Sequence, residues 1–321
     1  MKEGISLVVC CYNDADLLEY FLESVLVQGK LDFPFELLVI DNASTDNTCT
    51  VFNQYKERFT KQSIQYYYFF ETKRGLNHAR NRGIQQSQYS YIGFTDADAK
   101  LSPKYLNTLK NLIDQNHPVL LCGPYKPWYN TTIPKWYKDS YNEKNYGNVS
   151  KYLKEGETPC GVNMIFNKSI LENFEGFGTE IVYKGNNDRG EETELFYRYE
   201  EKGYSDFIFY SPDLVVYHYT RQQTMLIKTW IKSSWGVGKN QAKYKKNPGI
   251  FKNIKDVCWI LKELLKDVAK YTLKDTRSEH KYFQNFIVED IAPRIFDLSL
   301  SIHFIINTFL KTRTHNIKSI L

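Results

Sequence analysis

Two periodicities alternate over the first 120 or so residues. Strand-length runs rich in apolar and aromatic residues, Ile5–Cys10, Glu36–Asp41, Gln65–Phe70 and Tyr91–Thr95, are bounded by turn-forming residues. Between them lie longer stretches in which apolar positions recur at helical spacing. The clearest is Leu17, Leu18, Phe21, Leu22, Val25 and Leu26, with Asn13 or Asp14 placed to cap its start and Gly29 after its end. The same reading predicts helices over residues 47–59, 75–86 and 103–116, and strands over 118–123 and 161–166. Strands alternating with helices argue for an α/β fold, a mostly parallel sheet covered on both faces. On such sheets ligands bind beyond the carboxyl ends of the strands.

Two acidic turns fall at such ends. The second strand closes at Asp41 and runs into Asn42-Ala43-Ser44-Thr45-Asp46, a series of turn and cap residues. The fourth runs into Thr95-Asp96-Ala97-Asp98. Strand alternation predicts that Asp96 and Asp98 face the same way. Two like charges so placed repel unless something cationic sits between them. A divalent cation with hard oxygen ligands, holding the phosphates of a nucleotide, is the natural occupant. For the pair alone, a helix-capping Asp96 and a solvated Asp98 is an equal alternative.

Beyond residue 123 the pattern loosens. Residues 124–159 are rich in Tyr, Trp, Pro, Asn and Lys without clear period, and read as a long, partly ordered segment over the sheet, of the kind that serves as a binding element or lid. A helix is predicted over 191–202 and extended chain over 206–219. After Arg221 the pattern is helical, over 225–235, 254–273 and 282 to about 310. Leu298–Leu310 carries no Asp, Glu, Lys or Arg but is too short to span a bilayer. It reads as a packing helix, a dimer contact or an interfacial helix.

Composition narrows the class. A hydrophobic content of 42% with 25% charged residues is that of a soluble globular protein. The aromatic content of 16% fits a surface handling ring-shaped ligands, and equally an AT-rich coding bias. Six cysteines with no CxxC pair point to buried thiols in a reducing compartment rather than to disulfides or zinc. The opening Met1-Lys2-Glu3-Gly4 enters a strand at once, so no secretory leader is expected, and no stretch reaches the roughly 18 apolar residues of a membrane span. A cytoplasmic location follows, at the inner face of the membrane if the tail touches it. The net charge of +5 conceals an asymmetry: from Arg221 onward 19 Lys+Arg face 8 Asp+Glu, or +11, which leaves −6 for the preceding part. Such a tail suits an anionic membrane surface or a phosphate-bearing acceptor, and equally a solvated set of helices. No GxGxxG follows the first strand and no GxSxG elbow is present, which argues against a dinucleotide-dependent dehydrogenase and an α/β hydrolase. Gly236-Val237-Gly238-Lys239-Asn240 lacks the spacing of a phosphate loop. No RNA-binding motif is visible, so nucleic acid is not an expected partner.

Five blocks in order carry a resemblance. They are Ser6-Leu7-Val8-Val9-Cys10-Cys11-Tyr12-Asn13 with the helix ending Ser24-Val25-Leu26-Val27-Gln28; Glu36 to Asp46; Gly75-Leu76-Asn77-His78-Ala79-Arg80-Asn81-Arg82-Gly83-Ile84; Thr95-Asp96-Ala97-Asp98; and Gly190-Glu191-Glu192-Thr193-Glu194-Leu195. Together, over about Ile5 to Gly238, the chain resembles the family 2 glycosyltransferases, inverting enzymes with the GT-A nucleotide-diphospho-sugar fold. The resemblance implies a catalytic domain over 1–220, with nucleotide-sugar binding in about 1–123 and the acceptor side in about 124–220. A basic helical extension over 221–321 follows it.

The roles it implies fall residue by residue. Tyr12, with Cys11 and Asn13 beside it, flanks the base, and Asp41 or Asn42 bonds the base's imide edge. Arg80 pairs with phosphate or with Asp96, with Lys73 and Arg74 as alternatives. Asp98 binds Mg²⁺ or Mn²⁺ on the diphosphate, with His218 as a further ligand. Asp96 contacts the ribose or a metal-bound water, with Ala97 between the two acids. Gly161 and Asn163 line the donor-sugar and acceptor side, while Trp230, Trp235 and Gly238 shape the acceptor cleft. Glu192 is the base that deprotonates the acceptor, and Glu191 contacts it. The family usually has Asp where this chain has Glu192, Pro where it has Cys10, and often a second acid where it has Asn42. Each residue also has a purely structural reading: core Tyr, helix-cap acid, surface Arg, structural His. The expected activity is metal-dependent sugar transfer from a nucleotide-diphosphate donor to a hydroxyl of a glycan or lipid-linked acceptor. The alternatives are a non-catalytic nucleotide-sugar-binding scaffold of the same fold and a nucleotidyltransferase.

Overall fold

A computed structural model describes residues 2–154, 157–179, 191–203, 207–273 and 280–318; the side chains of 191–193, 197, 200, 244 and 311–318 lie outside that description. Two compact units are present. The first takes in the described residues of 2–129, 139–179 and 191–220, and the second holds 130–138 and the described residues from 221 onward.

In the first unit the chain runs β1 (Lys2–Cys11), α1 (Ala15–Leu26), β2 (Phe35–Asp41), α2 (Thr48–Lys61), β3 (Gln65–Phe70), α3 (Leu76–Gln86), β4 (Tyr89–Asp96), β5 (Ala99–Leu101), α4 (Tyr105–Asn116), β6 (Leu120–Cys122) and β7 (Tyr125–Trp128). It continues through β8 (Lys151–Tyr152), β9 (Met164–Asn167), α5 (Lys168–Asn173), α6 (Glu191–Glu201), β10 (Ile208–Tyr210) and β11 (Val216–Tyr219). The eight-stranded sheet has the order β3-β2-β1-β4-β9-β6-β10-β8, and a three-stranded sheet has the order β5-β11-β7.

β1 and β2 are nearly continuous apolar runs because both of their faces are covered. Leu7, Val9, Leu37 and Val39 point into one apolar layer with Leu18, Phe21 and Phe59. Val8, Leu38, Ile40, Ile92 and Phe94 point into the other with Ala79, Phe166 and Tyr199. Full burial of each such Leu or Phe contributes about 1.5–3 kcal/mol. The predicted parallel sheet holds for β3-β2-β1-β4, but β9 runs antiparallel to both β4 and β6. The 124–159 region is more ordered than its composition suggests: it contains β7, a 3-10 turn at Asp139–Asn142 and β8.

The second unit is built from α7 (Ile227–Tyr244), α8 (Ile250–Thr272), a short α9 (Phe283–Phe286) and α10 (Ala292–Lys318). α7 and α10 approach closely at Gly238, where a Cβ would lie 2.5 Å from the Phe296 carbonyl oxygen. Ser299 of α10 donates to the Trp235 carbonyl at 2.6 Å, and Trp235 lies edge-on to His303. Trp235 and Gly238, expected at an acceptor cleft, lie along this helix–helix contact, with Trp235 still partly exposed. Among the described residues no helix is long and apolar enough to cross a membrane.

Candidate active site

Register brings the acidic turns together. In β1, Cys11 is opposite Asp41 of β2 on one side, and Cys10 is opposite Asp96 of β4 on the other. Both acids thus end parallel strands that flank the carboxyl end of β1, where open α/β sheets bind their ligands.

Asp96 is the last residue of β4, and Ala97-Asp98 form a tight turn into β5. The proximity of the two carboxylates comes from this turn, not from strand alternation, which stops at Asp96. The small sheet then delivers a third group. β11 pairs antiparallel with β5, matching His218 to Ala99, and parallel with β7, matching His218 to Pro127. His218 Nε2 comes within 3.2 Å of Asp98 Oδ1, and one ligand atom from each of Asp96, Asp98 and His218 lies within 4.8 Å of the others. Asp98 is held from behind: its carbonyl accepts the Trp128 indole N–H at 3.1 Å and the Tyr219 N–H at 2.9 Å. Trp128 itself lies under the Lys100 ammonium at 3.7 Å, and burial lowers the pKa of that ammonium. β5 is anchored from α1. The Ser24 hydroxyl accepts the Leu101 N–H, and Gln28 bridges the Ser102 carbonyl and the Leu106 N–H. Two hard carboxylates and an imidazole are a donor set that suits Mn²⁺ or Mg²⁺.

The loop after β2 is the second half of the site. Buried Asp41 accepts from the Ser44 N–H through Oδ1 and from the Tyr68 hydroxyl through Oδ2. Burial and this carboxylate together push the Tyr68 phenol up. Asn42 is bonded to the chain before α3, its Nδ2 donating to the Lys73 carbonyl and its Oδ1 accepting the Gly75 N–H, both at 2.7 Å. Gly75 has φ +130°, which a side chain would strain. Asn13 ties the β1 loop to the same segment, accepting from the Thr45 N–H at 2.7 Å while its own N–H donates to Ser44. Tyr12 is left 45% exposed at the rim, with the Arg74 guanidinium 5.3 Å over its ring.

Comparison with known proteins decides the affiliation. The model of "Glycosyl transferase family 2" matches residues 6–174, more than half of the 321-residue chain. The chain belongs to glycosyl transferase family 2. It is 24% identical over 232 residues to the chondroitin synthase of Pasteurella multocida, covering 62% of this chain and 23% of that protein. It is 34% identical over 97 residues to a poly-beta-1,6-N-acetyl-D-glucosamine synthase of Staphylococcus epidermidis, 30% of this chain and 22% of that protein. The matches therefore span under a quarter of the length of these relatives. Among solved structures, the mannosyltransferase PcManGT from Pyrobaculum calidifontis, in complex with GDP-Man and Mn²⁺, superposes with a TM-score of 0.60 at 17% identity, over 95% of this chain and 87% of that one. S. aureus TarS 1-349 in complex with UDP gives 0.50 at 17% identity, over 73% and 64%. At these identities the likeness establishes the fold, which is the GT-A glycosyltransferase fold.

Within this family 2 glycosyltransferase several expected residues sit away from open space. Asn163 is completely buried. Its Nδ2 donates to the Pro124 and Leu214 carbonyls, and its Oδ1 accepts the Tyr105 hydroxyl at 2.7 Å. It is a clamp between segments rather than a surface of the cleft. Gly161 and Asn163 lie in the turn before β9, which starts only at Met164. Arg80 is 2% exposed, with its guanidinium 5.2 Å over the Phe177 ring. The Cys11 side chain is buried among apolar residues of the α1–α2 face. Its carbonyl accepts the Asn42 N–H at 2.8 Å, and burial raises its thiol pKa. Burial pushes the Cys10 thiol up to about 12, with Arg80 lowering it and Asp96 raising it. Glu191 and Glu192 occupy the first turn of α6, but their side chains lie outside the described residues.

Two contributors escape a local reading. Asp46 looks like the cap of α2, and its Oδ1 does accept from Thr48; its Oδ2, however, takes the Ala15 N–H that opens α1. The turn composition of 42–46 flagged that residue without revealing the second partner. Trp128, which pins Asp98 from 30 positions away, carries no local signal.

Proposed function

We propose that this chain is a metal-dependent inverting glycosyltransferase that moves one sugar from a nucleotide-diphosphate donor to a hydroxyl of a glycan or lipid-linked acceptor. The observation that carries the proposal is the convergence of Asp96, Asp98 and His218 within 4.8 Å at the carboxyl end of the sheet, in a family 2 chain. These three residues would hold Mn²⁺ or Mg²⁺, which supplies Lewis-acid stabilisation of charge on the departing diphosphate. The known complexes of fold neighbours with GDP-Man and Mn²⁺, UDP, and UDP-GlcNAc support a donor of this class.

The remaining steps belong to the protein. Tyr12 offers an exposed ring to the base, and Arg74 above it offers a cation to the phosphates. Asp41 keeps a second lone pair on each oxygen, so it can accept from an imide N–H while Ser44 and Tyr68 hold it. Asn42 bonds Lys73 and Gly75 through its amide, which fixes the chain before α3 beside Asp41. Glu192, at the start of α6, takes the proton from the acceptor hydroxyl. The acceptor oxygen bonds to the anomeric carbon as the bond to the diphosphate breaks on the opposite side. The products are the inverted glycoside and a nucleoside diphosphate.

A panel including UDP-GlcNAc and GDP-mannose, assayed with Mn²⁺ for nucleoside diphosphate release, tests the reading. Turnover should need the metal and vanish with a chelator. Glu192→Gln should lose about 10²–10⁴-fold in turnover while keeping donor affinity. Full activity in that variant would remove Glu192 from its role. Release of pyrophosphate would indicate nucleotidyl transfer, and donor binding without turnover would indicate the scaffold.

A further inference from the structure

We infer that α8 is a docking helix for an anionic lipid bilayer. The helix lays its exposed face flat on the surface, buries an apolar stripe among the acyl chains and sets its lysines against the headgroups.

The stripe follows from sequence spacing. Phe251, Ile254, Cys258, Leu261, Leu265 and Val268 recur at alternating intervals of three and four, which places them on one face of a helix. All six are exposed; Phe251 is 82% and Leu265 74% open to solvent. The opposite face, with Asn253 and Ile260, is the buried one. Apolar side chains this large, in an unbroken row on a 23-residue helix, mark an interaction surface rather than scattered surface hydrophobics.

Charge segregation identifies the occupant. α8 holds five lysines and three acids, and going round the helix the lysines lie between the apolar stripe and the acids. Lys252, Lys255, Lys262, Lys266 and Lys270 are all exposed, with Lys255 and Lys262 next to one edge of the stripe and the others further round the same side. Asp256, Glu263 and Asp267 are all half-buried away from it. Asp267 is paired with Arg294 of α10 at 3.2 Å, and Glu263 accepts from Lys266 at 2.6 Å. Trp259 adds a half-exposed indole beside the lysines, with the Arg294 guanidinium 5.3 Å over its ring. Apolar row, lysine border and indole together make the profile of an interfacial helix about 35 Å long. A second copy of the chain fits less well. It would bring two lysine borders together with the acids of both helices turned away, a like-charge contact. The inference is independent of the sugar-transfer reading and is tested without turnover.

The test is co-sedimentation of the full chain with phosphatidylglycerol–phosphatidylcholine vesicles and with phosphatidylcholine vesicles alone. Binding should require the anionic lipid and weaken as salt is raised. Leu261→Ser with Leu265→Ser should lower the vesicle partition coefficient about tenfold or more. Lys255→Gln with Lys262→Gln should lower it about ten- to thirtyfold. Far-UV circular dichroism of both variants should match that of the wild type, since the substituted side chains are exposed. Absence of binding to the anionic vesicles would overturn the inference, as would equal binding by a correctly folded Leu variant. A dimer in sedimentation velocity that only the Leu variant dissociates, with no vesicle binding, would assign the stripe to a second copy.

Discussion

Both ends of the main sheet bury acidic side chains, with opposite consequences. At the amino end Glu36 is completely buried in β2, and its oxygens accept from the Ser6 hydroxyl, the Gln88 N–H and the Gln88 amide. Those donors are neutral and fixed, so this carboxylate is a structural knot between β1, β2 and the start of β4. At the carboxyl end Asp96, Asp98 and His218 bring their ligand atoms within 4.8 Å of one another, and the Asp98 carbonyl is held by the Trp128 indole and the Tyr219 N–H. Burial of an acid is therefore a poor indicator of function. What its oxygens face separates a fastener from a site.

Substitutions at the two ends should separate these roles. The largest effect is expected from Asp98→Asn. Turnover should fall about a thousandfold or more with loss of Mn²⁺ affinity, while the unfolding midpoint changes little; parallel kinetics and thermal denaturation would show the split. Glu36→Ala should do the reverse, costing about 2–3 kcal/mol because buried donors on Ser6 and Gln88 lose their acceptor. Urea denaturation would measure that cost, and Mn²⁺ affinity should stay unchanged. A smaller effect is expected from Ser24→Ala, which removes the hydroxyl that accepts the Leu101 N–H at 3.0 Å. A loss of about 1 kcal/mol with a few-fold weaker Mn²⁺ affinity would show that β5 is held from α1.

The mildest test is pH. Burial pushes the thiols of Cys10 and Cys122 up to about 12 from an ordinary 9.0. Between those values the unfolded chain has lost protons that the folded chain keeps, so stability is full below about pH 9 and declines as pH rises toward about 12. Denaturation midpoints across that range would check the slope. At neutral pH an alkylating agent should label the exposed Cys49 and Cys258 and leave Cys10, Cys11 and Cys122 untouched.

Much of this architecture was legible from residue pattern. β1, α1, β2 and β3 fall where periodicity puts them, because long covered runs and one-sided helices leave an unambiguous signal. The carboxyl-end position of Asp41 and Asp96 followed from the same pattern. Strand direction did not: four apolar residues of β9 read the same in either sense, so its antiparallel insertion beside β4 was invisible. The proximity of Asp96 and Asp98 was anticipated for the wrong reason, since a turn rather than pleat alternation creates it. The nearness of His218 to Asp98 depends on pairing between β5 and β11, more than a hundred residues apart, and only resemblance pointed to it. Asn163 and Asn42 look like binding residues by type, yet their amides hold chain segments together. Polar residues that tie loops and those that meet ligands have the same composition; partners alone tell them apart.

If Asp98 and its neighbours form a divalent-cation site and Glu36 does not, the two ends of the sheet should respond differently to Mn²⁺. Calorimetric titration of Mn²⁺ into the wild type, Asp98→Asn and Glu36→Gln tests it most directly. One saturable site is predicted in the wild type, kept in Glu36→Gln and lost in Asp98→Asn. Undiminished Mn²⁺ binding by Asp98→Asn would mean that Asp98 holds no cation.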